Sequence, residues 1–337
     1  TQDLKKFAEL LKIPVITTMP GKSSFDERHP LSLGSANRTA PKAVWNWLKE
    51  SDLVFAIGSS LTITNYGITI PEGKNIVHST NNIEDINKDY SVEYGLVGDS
   101  KMVLESLLFE LENSQESIEK FVQNREQNII SSIKTIKQEW YQEWTPYLES
   151  NMEPINPYRL INEINNNIDH ENSIITHDAG HPRDQIMPFL TSTIPNSYIG
   201  WGKTTHLGYG IPLMIGAKIA HPDKFCMNFM GDAAFGMSGL DIETAVRSDN
   251  PITTVLMNNS TMGGYSVRYP QSIERYGAIN LSGDYAKIAE GMGAIGIRVT
   301  KTEEIGKAIQ KAQKHNKDGK TVLIDVKTQP ELKMSVY

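Results

Sequence analysis

One carboxylate and two carboxamides are the side chains of this sequence best placed to do chemistry together. Asp232 follows an apolar segment, 225–230, and the pair Asn258 and Asn259 follows a second one, 252–257. Both segments are predicted strands with a helix-like stretch between them, which makes a βαβ unit whose two strand ends lie side by side. Asp and Asn oxygens are hard ligands, and Mg²⁺ accepts few of them while phosphate and water oxygens fill its other positions. The unit therefore predicts a site for Mg²⁺ and a diphosphate, although two unrelated turns are the alternative.

The elements that position these residues alternate between strand and helix over 155–330. Predicted strands span 174–177, 225–230, 252–257, 297–299 and 322–326. Predicted helices span 158–166, 210–220, 240–247, 285–291 and 303–315. This alternation predicts a doubly wound parallel sheet.

A second, smaller set of alternating elements precedes it. Its predicted strands span 14–18, 53–57 and 75–78. Its predicted helices span 3–11, 39–49 and 101–112. Polar residues follow, which predict a long linking helix closed by Pro146. We therefore predict an α/β protein with two doubly wound parallel-sheet domains, 1–112 and 155–337, joined by a helical linker over 113–154. Since such a domain rarely begins with an uncovered helix, we expect the chain to be the C-terminal part of a longer protein.

Composition excludes several classes of partner. The 337 residues carry a formal net charge of −7 without a basic stripe, so nucleic acid and anionic membranes are not expected partners. No apolar run approaches the length of a membrane span, and no signal peptide is recognisable. The single cysteine, Cys226, cannot form an internal disulfide, which fits a cytoplasmic protein.

The pairing of Gly-Asp with a later Asn-Asn resembles the signature of enzymes that use thiamine diphosphate (ThDP). Segments 14–22, 29–34 and 206–212 are also similar to those of the acetolactate synthase-like branch of this family. The resemblance implies that 1–112 is a Rossmann-like central domain without its opening strand. It implies that 155–337 is the domain that binds the diphosphate and Mg²⁺, and that the N-terminal pyrimidine-binding domain is absent.

The resemblance also implies roles for individual residues. Asp232, the side chain of Asn259 and the carbonyl of Thr261 would bind Mg²⁺, and the N–H groups of Ala233 and Ala234 would face the diphosphate. The full set of expected cofactor-binding residues is Gly231, Asp232, Ala233, Ala234, His181, Thr205, Leu207, Asn259 and Met262.

Three side chains in this set and near it have alternative interpretations. Leu207 matches the apolar residue that props the cofactor into a bent shape, with core packing as the alternative. His181 could donate to the diphosphate or remain solvated in its loop. Arg183 could meet a substrate carboxylate, but a surface ion pair is the alternative that we favour.

The segment after the asparagine pair matches the mobile region that covers the substrate in this family. Gly263 and Gly264 fit a hinge, and Tyr265 and Arg268 are the expected substrate-contacting residues. Acetolactate synthases usually have Trp where Arg268 falls, so an anionic group is the substrate feature that Arg268 would favour. In the central domain, 37–40, 59–61 and 79–82 depart from the family's FAD pattern, so FAD is not expected.

No catalytic residue can be assigned within this chain. The resemblance implies that the activating Glu belongs to the pyrimidine-binding domain of a neighbouring subunit, so we expect a homodimer or homotetramer and little activity from this chain alone. Glu243, in the helix after the motif, is predicted to be structural.

The expected function is a transferase or lyase reaction on a 2-oxo acid, as in an acetolactate synthase-like carboligase. Decarboxylation of another acyl substrate without carboligation, and a non-catalytic ThDP-binding homologue, are the alternatives. A Rossmann dehydrogenase is disfavoured because Gly208-Tyr209-Gly210 lacks the third glycine of the dinucleotide fingerprint.

Overall fold

The computed structural model describes residues 1–123, 126–201, 206–265 and 268–337. These residues form two compact units, a first unit of 1–141 with 335–337 and a second unit of 142–334. Every named sheet in both units is parallel, which confirms the predicted α/β class. No described helix is long and apolar enough to cross a bilayer.

The first unit contains two small parallel sheets. Its strands are β1 (Val15–Thr18), β2 (Ser32–Ala36), β3 (Leu53–Ile57), β4 (Asn75–Thr80) and β5 (Tyr94–Val97), arranged as β1-β2 and β3-β4-β5. Its first helices are α1 (Gln2–Leu11), α2 (Lys42–Glu50) and α3 (Ser100–Glu112). Strands β2 and β5 were not predicted. Strand β2 reads Ser-Leu-Gly-Ser-Ala, a composition typical of loops, yet every residue in it is buried.

The region after α3 forms α4 (Gln115–Val122) and α5 (Glu126–Leu148). The prediction that Pro146 closes the helix is wrong, because Pro146 lies inside the last turn of α5. A proline there forfeits one backbone hydrogen bond but does not prevent the preceding turns from forming.

The second unit contains a six-stranded parallel sheet with the order β10-β11-β9-β8-β6-β7. Its strands are β6 (Ser173–His177), β7 (Tyr198–Ile199), β8 (Phe225–Gly231), β9 (Thr253–Asn258), β10 (Ile295–Val299) and β11 (Val322–Lys327). Its helices are α6 (Pro157–Asn167), α7 (His181–Ile186), α8 (Gly210–Ala220), α9 (Asp232–Ser238), α10 (Asp241–Arg247), α11 (Pro270–Tyr276), α12 (Tyr285–Gly291) and α13 (Thr302–Lys317). The five predicted strands and five predicted helices of this region all form, with ends displaced by at most two residues.

The central strands are apolar because both faces of the sheet are covered. Residues of α8 such as Ile211 and Met214 pack with Met230, Leu256 and Leu323 of the sheet in one buried cluster. The βαβ unit differs from its prediction in one respect. The helix predicted between the two strands forms as α10, but an additional helix, α9, precedes it and begins at Asp232 itself. The carboxylate therefore lies at a strand-to-helix junction.

Candidate functional site

The carboxyl ends of β8 and β9 bring Asp232 and the asparagine loop together. The strands are adjacent and parallel, with Gly231 of β8 opposite Met257 of β9. The Ser260 N–H then donates a hydrogen bond to Asp232 Oδ2 at 2.7 Å. The juxtaposition predicted from the spacing is thus present in the structure.

Asp232 is a buried acid, only 3% exposed. Burial raises its pKa to about 6, although N–H donors from Ser260 and Ala233 and the positive charge of Lys327 act in the opposite direction. The other oxygen, Oδ1, accepts the Ala233 N–H at 2.9 Å. A bound cation would favour the ionised form of this carboxylate, so its environment fits a metal ligand.

The two asparagines have different surroundings. Asn258, the last residue of β9, is buried, and its Nδ2 donates to Asp325 Oδ1 at 2.7 Å. Asn259 is half-buried, and its Oδ1 accepts the Thr261 N–H at 3.1 Å. Asn258 is therefore part of the interior, while Asn259 belongs to the loop that faces the strand ends.

The loop from Ser260 to Met262 is pinned on one side by a short antiparallel contact. Met262 N–H donates to the Ile279 carbonyl and Leu281 N–H donates to the Ser260 carbonyl, which pairs Thr261 with Asn280. In such a pair the central residue's own N–H and carbonyl point away from the partner segment. The Thr261 N–H bonds to Asn259 on that side, and the Thr261 carbonyl is directed to the same side.

These groups supply three hard oxygens: a carboxylate, a carboxamide and a backbone carbonyl. Among the described residues, no cluster of three or more His, Cys, Asp or Glu side chains occurs. A metal held here would therefore depend on carbonyl-type oxygens beside the single carboxylate, which suits Mg²⁺ with phosphate and water completing its octahedron.

Asp178 organises a second edge of the site and was not singled out from the sequence. It follows β6, is fully buried, and accepts N–H groups from Gly208 at 2.9 Å and Gly210 at 3.0 Å. Burial raises the pKa of Asp178 even though these donors lower it. Leu207, adjacent to this turn, is half-buried and packs against the hydrophobic cluster of the sheet. Thr205 lies outside the described residues.

His181 begins α7 and approaches the glycines of the site. A Cβ added to Gly263 would lie 3.0 Å from His181 Nδ1, and one added to Gly264 would lie 3.3 Å from Nε2. A Cβ added to Gly231 would lie 3.5 Å from Pro182, the next residue of α7. The start of α7 therefore lies beside both the strand β8 end and the segment after the asparagines.

The remaining candidate side chains lie in different surroundings, some buried and some exposed. Arg183 forms an ion pair of 2.8 Å with Asp184, and both side chains are 4% exposed, so the expected surface pair is wrong and the pair is buried in α7. Arg268 is exposed, with its guanidinium 5.9 Å from the centre of the Tyr265 ring. Ala234 is buried in the first turn of α9, and Glu243 pairs with Arg247 at 3.0 Å on the exposed side of α10.

Comparison with known proteins assigns both parts of the chain. Residues 178–326 match the C-terminal TPP binding domain of the thiamine pyrophosphate enzymes, where thiamine pyrophosphate (TPP) is another name for ThDP. Residues 1–107 match the central domain of the same enzymes. Together the two matches cover about three quarters of the chain.

Curated relatives agree with these matches. The chain is 28% identical over 332 residues to a probable acetolactate synthase large subunit of Methanococcus aeolicus, covering 92% of this chain and 53% of the relative. It is 29% identical over 335 residues to the acetolactate synthase large subunit of Corynebacterium glutamicum, covering 96% and 51%. It is 27% identical over 357 residues to a sulfoacetaldehyde acetyltransferase of Alcaligenes xylosoxydans xylosoxydans, covering 98% and 58%.

The chain spans about half the length of these relatives. The names of these relatives refer to different reactions. The two domain matches, in contrast, agree with each other, because both are domains of the same enzyme family. The resemblance inferred from the sequence motifs is confirmed: the chain belongs to the thiamine pyrophosphate enzymes and contains their central and C-terminal TPP binding domains.

Proposed function

We propose that this chain binds thiamine diphosphate through a Mg²⁺ ion held by Asp232, the Asn259 side chain and the Thr261 carbonyl. The observation that carries the proposal is the convergence of these hard oxygens at the ends of β8 and β9, within a TPP binding domain. Asp232 supports it further because its buried carboxylate, with a pKa of about 6, would gain stability as an anion from a divalent cation.

The diphosphate would lie against the start of α9. The N–H groups of a helix's first turn have no partner within the helix, and they favour phosphate oxygens. Ala234 supplies such a group, and the Ala233 N–H donates to Asp232 Oδ1. We propose that the N–H groups of Ala233 and Ala234 both lie beside the diphosphate. Gly231 and Met262 border this space from the strand end and the pinned loop.

We propose that His181, Leu207 and Thr205 complete the cofactor site. His181 is supported by its approach to Gly263 and Gly264, which places its imidazole beside the asparagine loop. Leu207 is supported by its half-buried position on the turn that Asp178 holds, where an apolar side chain could support the cofactor's rings.

The reaction that we propose is carboligation or lysis on a 2-oxo acid, as the names of the acetolactate synthase relatives suggest. When bound, the cofactor supplies the electron sink for making and breaking the bond next to the carbonyl carbon. This chain's residues bind and orient the cofactor. The activating Glu, and with it full activity, would come from the pyrimidine-binding domain of a neighbouring subunit in a homodimer or homotetramer.

A second reaction has one observation in its favour. Arg268 exposes its guanidinium beside the Tyr265 ring, which would suit an anionic acyl substrate rather than the pocket that Trp shapes in acetolactate synthases. The sulfoacetaldehyde acetyltransferase relative carries an anionic substrate in its name. Decarboxylation or acetyl transfer on such a substrate is therefore the alternative, and the expected lack of FAD stays a prediction for both.

Titration of the chain with Mg²⁺ and ThDP in a calorimeter tests the cofactor site. We expect the Asp232→Asn variant to lose most of the binding heat, while Asp223→Asn, which alters an exposed turn acid, binds like the wild type. Equal binding by wild type and Asp232→Asn would contradict the proposed metal site.

Product analysis with this chain in the presence of a pyrimidine-binding domain separates the two reactions. Acetolactate from pyruvate would support carboligation. An aldehyde product without acetolactate, or turnover of sulfoacetaldehyde but not of pyruvate, would support the alternative if it is lost in Arg268→Gln.

A further inference from the structure

A charged residue interrupts a buried apolar strand of the second unit. Strand β11 reads Val-Leu-Ile-Asp-Val-Lys, and Asp325 is 0% exposed. A buried carboxylate is costly unless cations or hydrogen-bond donors surround it. The Asp325 carboxylate is therefore expected to have a cation or a hydrogen-bond donor beside each of its two oxygens.

Arg298 is the first partner. It lies on β10 directly opposite Asp325, and its Nη2 is 3.4 Å from Asp325 Oδ2. The same nitrogen also pairs with Asp284, just before α12. Arg298 is partly exposed, so it connects the buried acid to the surface of the sheet's edge.

Asn258 is the second partner, on the other side of β11. Its Nδ2 donates to Asp325 Oδ1 at 2.7 Å. A carboxylate accepts hydrogen bonds but cannot donate them, so Asp325 fixes which end of the Asn258 amide faces it. The Asn258 Oδ1 is consequently turned toward the loop, where it accepts the Ser260 hydroxyl at 3.3 Å.

Ser260 completes the connection to the candidate metal site. Its φ of 57° lies in the left-handed region, which is unusual for a residue with a side chain. In this conformation its N–H donates to Asp232 Oδ2 at 2.7 Å. The contacts run from Arg298 through Asp325, Asn258 and Ser260 to Asp232, and they cross β10, β11, β9 and β8 in the order in which those strands are paired.

We infer that Asp325, held by Arg298, is a positioning residue for the metal site, acting through Asn258 and Ser260. The inference rests on the proposed function, because it assigns a role toward the Mg²⁺ that Asp232 and Asn259 are proposed to bind. Asn259 lies between Asn258 and Ser260, the two residues that this chain of contacts anchors. Fixing Asn258 and Ser260 therefore limits the directions that the Asn259 side chain and the Thr261 carbonyl can take.

Substitution of Asp325 by Asn tests the inference with little change in volume. Arg298 and Asn258 donate to different oxygens of Asp325, and the single amide oxygen of the substituted side chain can occupy only one of these two positions. We expect the affinity for Mn²⁺, measured by electron paramagnetic resonance with ThDP present, to fall by about 10- to 100-fold. We expect hydrogen exchange of the Ser260 amide in the metal-free protein to accelerate by about tenfold or more.

Two further variants keep the test specific. Asp249→Asn changes an exposed acid of the same unit and should leave both quantities unchanged. Arg298→Lys keeps the positive charge opposite Asp325, and its Mn²⁺ affinity should lie between those of the wild type and Asp325→Asn. Circular dichroism and the melting temperature establish that each variant is folded.

The outcomes separate this inference from the proposed function. A wild-type chain that fails to bind Mn²⁺ would overturn the proposed metal site and the role of Asp325 with it. With a wild type that binds, an unchanged value of either the Mn²⁺ affinity or the Ser260 exchange rate in folded Asp325→Asn would overturn the inference alone. If Asp325→Asn does not fold, the same two criteria apply to Arg298→Gln, whose substituted side chain is partly exposed.

Discussion

The Asp178 carboxylate accepts the N–H of Gly210 at 3.0 Å, across 32 residues of chain. Gly210 is the first residue of α8, so its N–H has no partner within that helix. The other Asp178 oxygen accepts the N–H groups of Gly208 and Ala179. One buried acid thus holds both the start of α8 and the turn that carries Leu207.

The balance of forces on Asp178 predicts a pH dependence of stability. An Asp carboxyl in an unfolded chain has a pKa of about 3.9, and burial raises the pKa of Asp178 above that value. The folded protein then binds this proton more tightly than the unfolded chain does. The contribution of Asp178 to stability should therefore fall as the pH rises from about 4, and become constant once the pH exceeds the folded-state pKa.

Urea denaturation of wild type and Asp178→Asn between pH 4 and pH 8 measures this contribution. We expect the stability of the wild type relative to the variant to decrease with rising pH. An increase would mean that the three N–H donors outweigh burial and lower the pKa.

Gly210 also illustrates close packing without a special backbone angle. A Cβ at Gly210 would lie 2.1 Å from Asn228 Oδ1. The Asn228 side chain is fully buried, so it has little room to move away. Gly210→Ala should therefore lower the free energy of unfolding by about 1–3 kcal/mol. Gly216→Ala in the same helix meets no atom within 4 Å and should raise it by about 0.5–1 kcal/mol. Equal effects of the two substitutions in denaturant melts would contradict this packing.

The approach of His181 to Gly263 predicts coupling between two segments of the candidate site. In Gly263→Ala the new methyl group would meet His181 Nδ1 at 3.0 Å, and removal of the imidazole by His181→Ala should relieve that contact. A double-mutant cycle should show a coupling of about 0.5–3 kcal/mol in the free energy of unfolding. Gly236→Ala, which has no atom within 4 Å, should show no coupling to His181→Ala. Additive effects for the Gly263 pair would count against the contact.

The first unit contains a buried ion pair between Lys22 and Glu27. Replacing one partner should lower the free energy of unfolding much more than replacing both. Lys22 Nζ lies 2.6 Å from Glu27 Oε1, with the side chains 1% and 10% exposed, and burial lowers the pKa of Lys22. Lys22→Met alone removes the cation in direct contact with the Glu27 carboxylate and should cost about 3–5 kcal/mol of unfolding free energy, whereas adding Glu27→Gln should recover most of that loss.

A matched exposed pair provides the control for Lys22. Lys5 and Glu9 lie 3.9 Å apart with both side chains about half exposed, so Lys5→Met should cost less than about 1 kcal/mol. Chemical denaturation measures both costs. Similar losses from Lys22→Met and Lys5→Met would show that burial does not strengthen the Lys22 pair.

The sequence predicted five of the six named strands of the second unit because most of them carry short apolar runs, whereas β7, α7, α9 and α11 were not predicted. Strands β8, β9 and β11 are buried on both faces, so their hydrophobic runs and their bounds coincide closely. Strand β2 escaped prediction because its burial arises from small residues that tertiary packing covers, not from a hydrophobic run.

The candidate site was predictable only in part, because its geometry depends on contacts distant along the chain. The spacing of Asp232 and the asparagines predicted their meeting, which the Ser260–Asp232 hydrogen bond confirms. It could not distinguish Asn258 from Asn259, since the difference depends on Asp325, 67 residues after Asn258. The ligand roles themselves, and the domain limits, stay predictions that binding experiments and domain expression can test.

The parallel arrangement of the second sheet has a consequence for biogenesis. The edge that holds Asp178, Asp232 and the asparagine loop is assembled from β6, β8 and β9, and Asp325 joins it only when the last strand, β11, has been inserted. Long-range pairing of this kind forms slowly, because loop closure precedes the contacts that stabilise it. A ligand of this edge would therefore bind most tightly to chains that have completed the sheet, and its binding energy would be added to the stability of the whole unit. A rising concentration of such a ligand would then lower the fraction of chains that are unfolded and open to proteolysis.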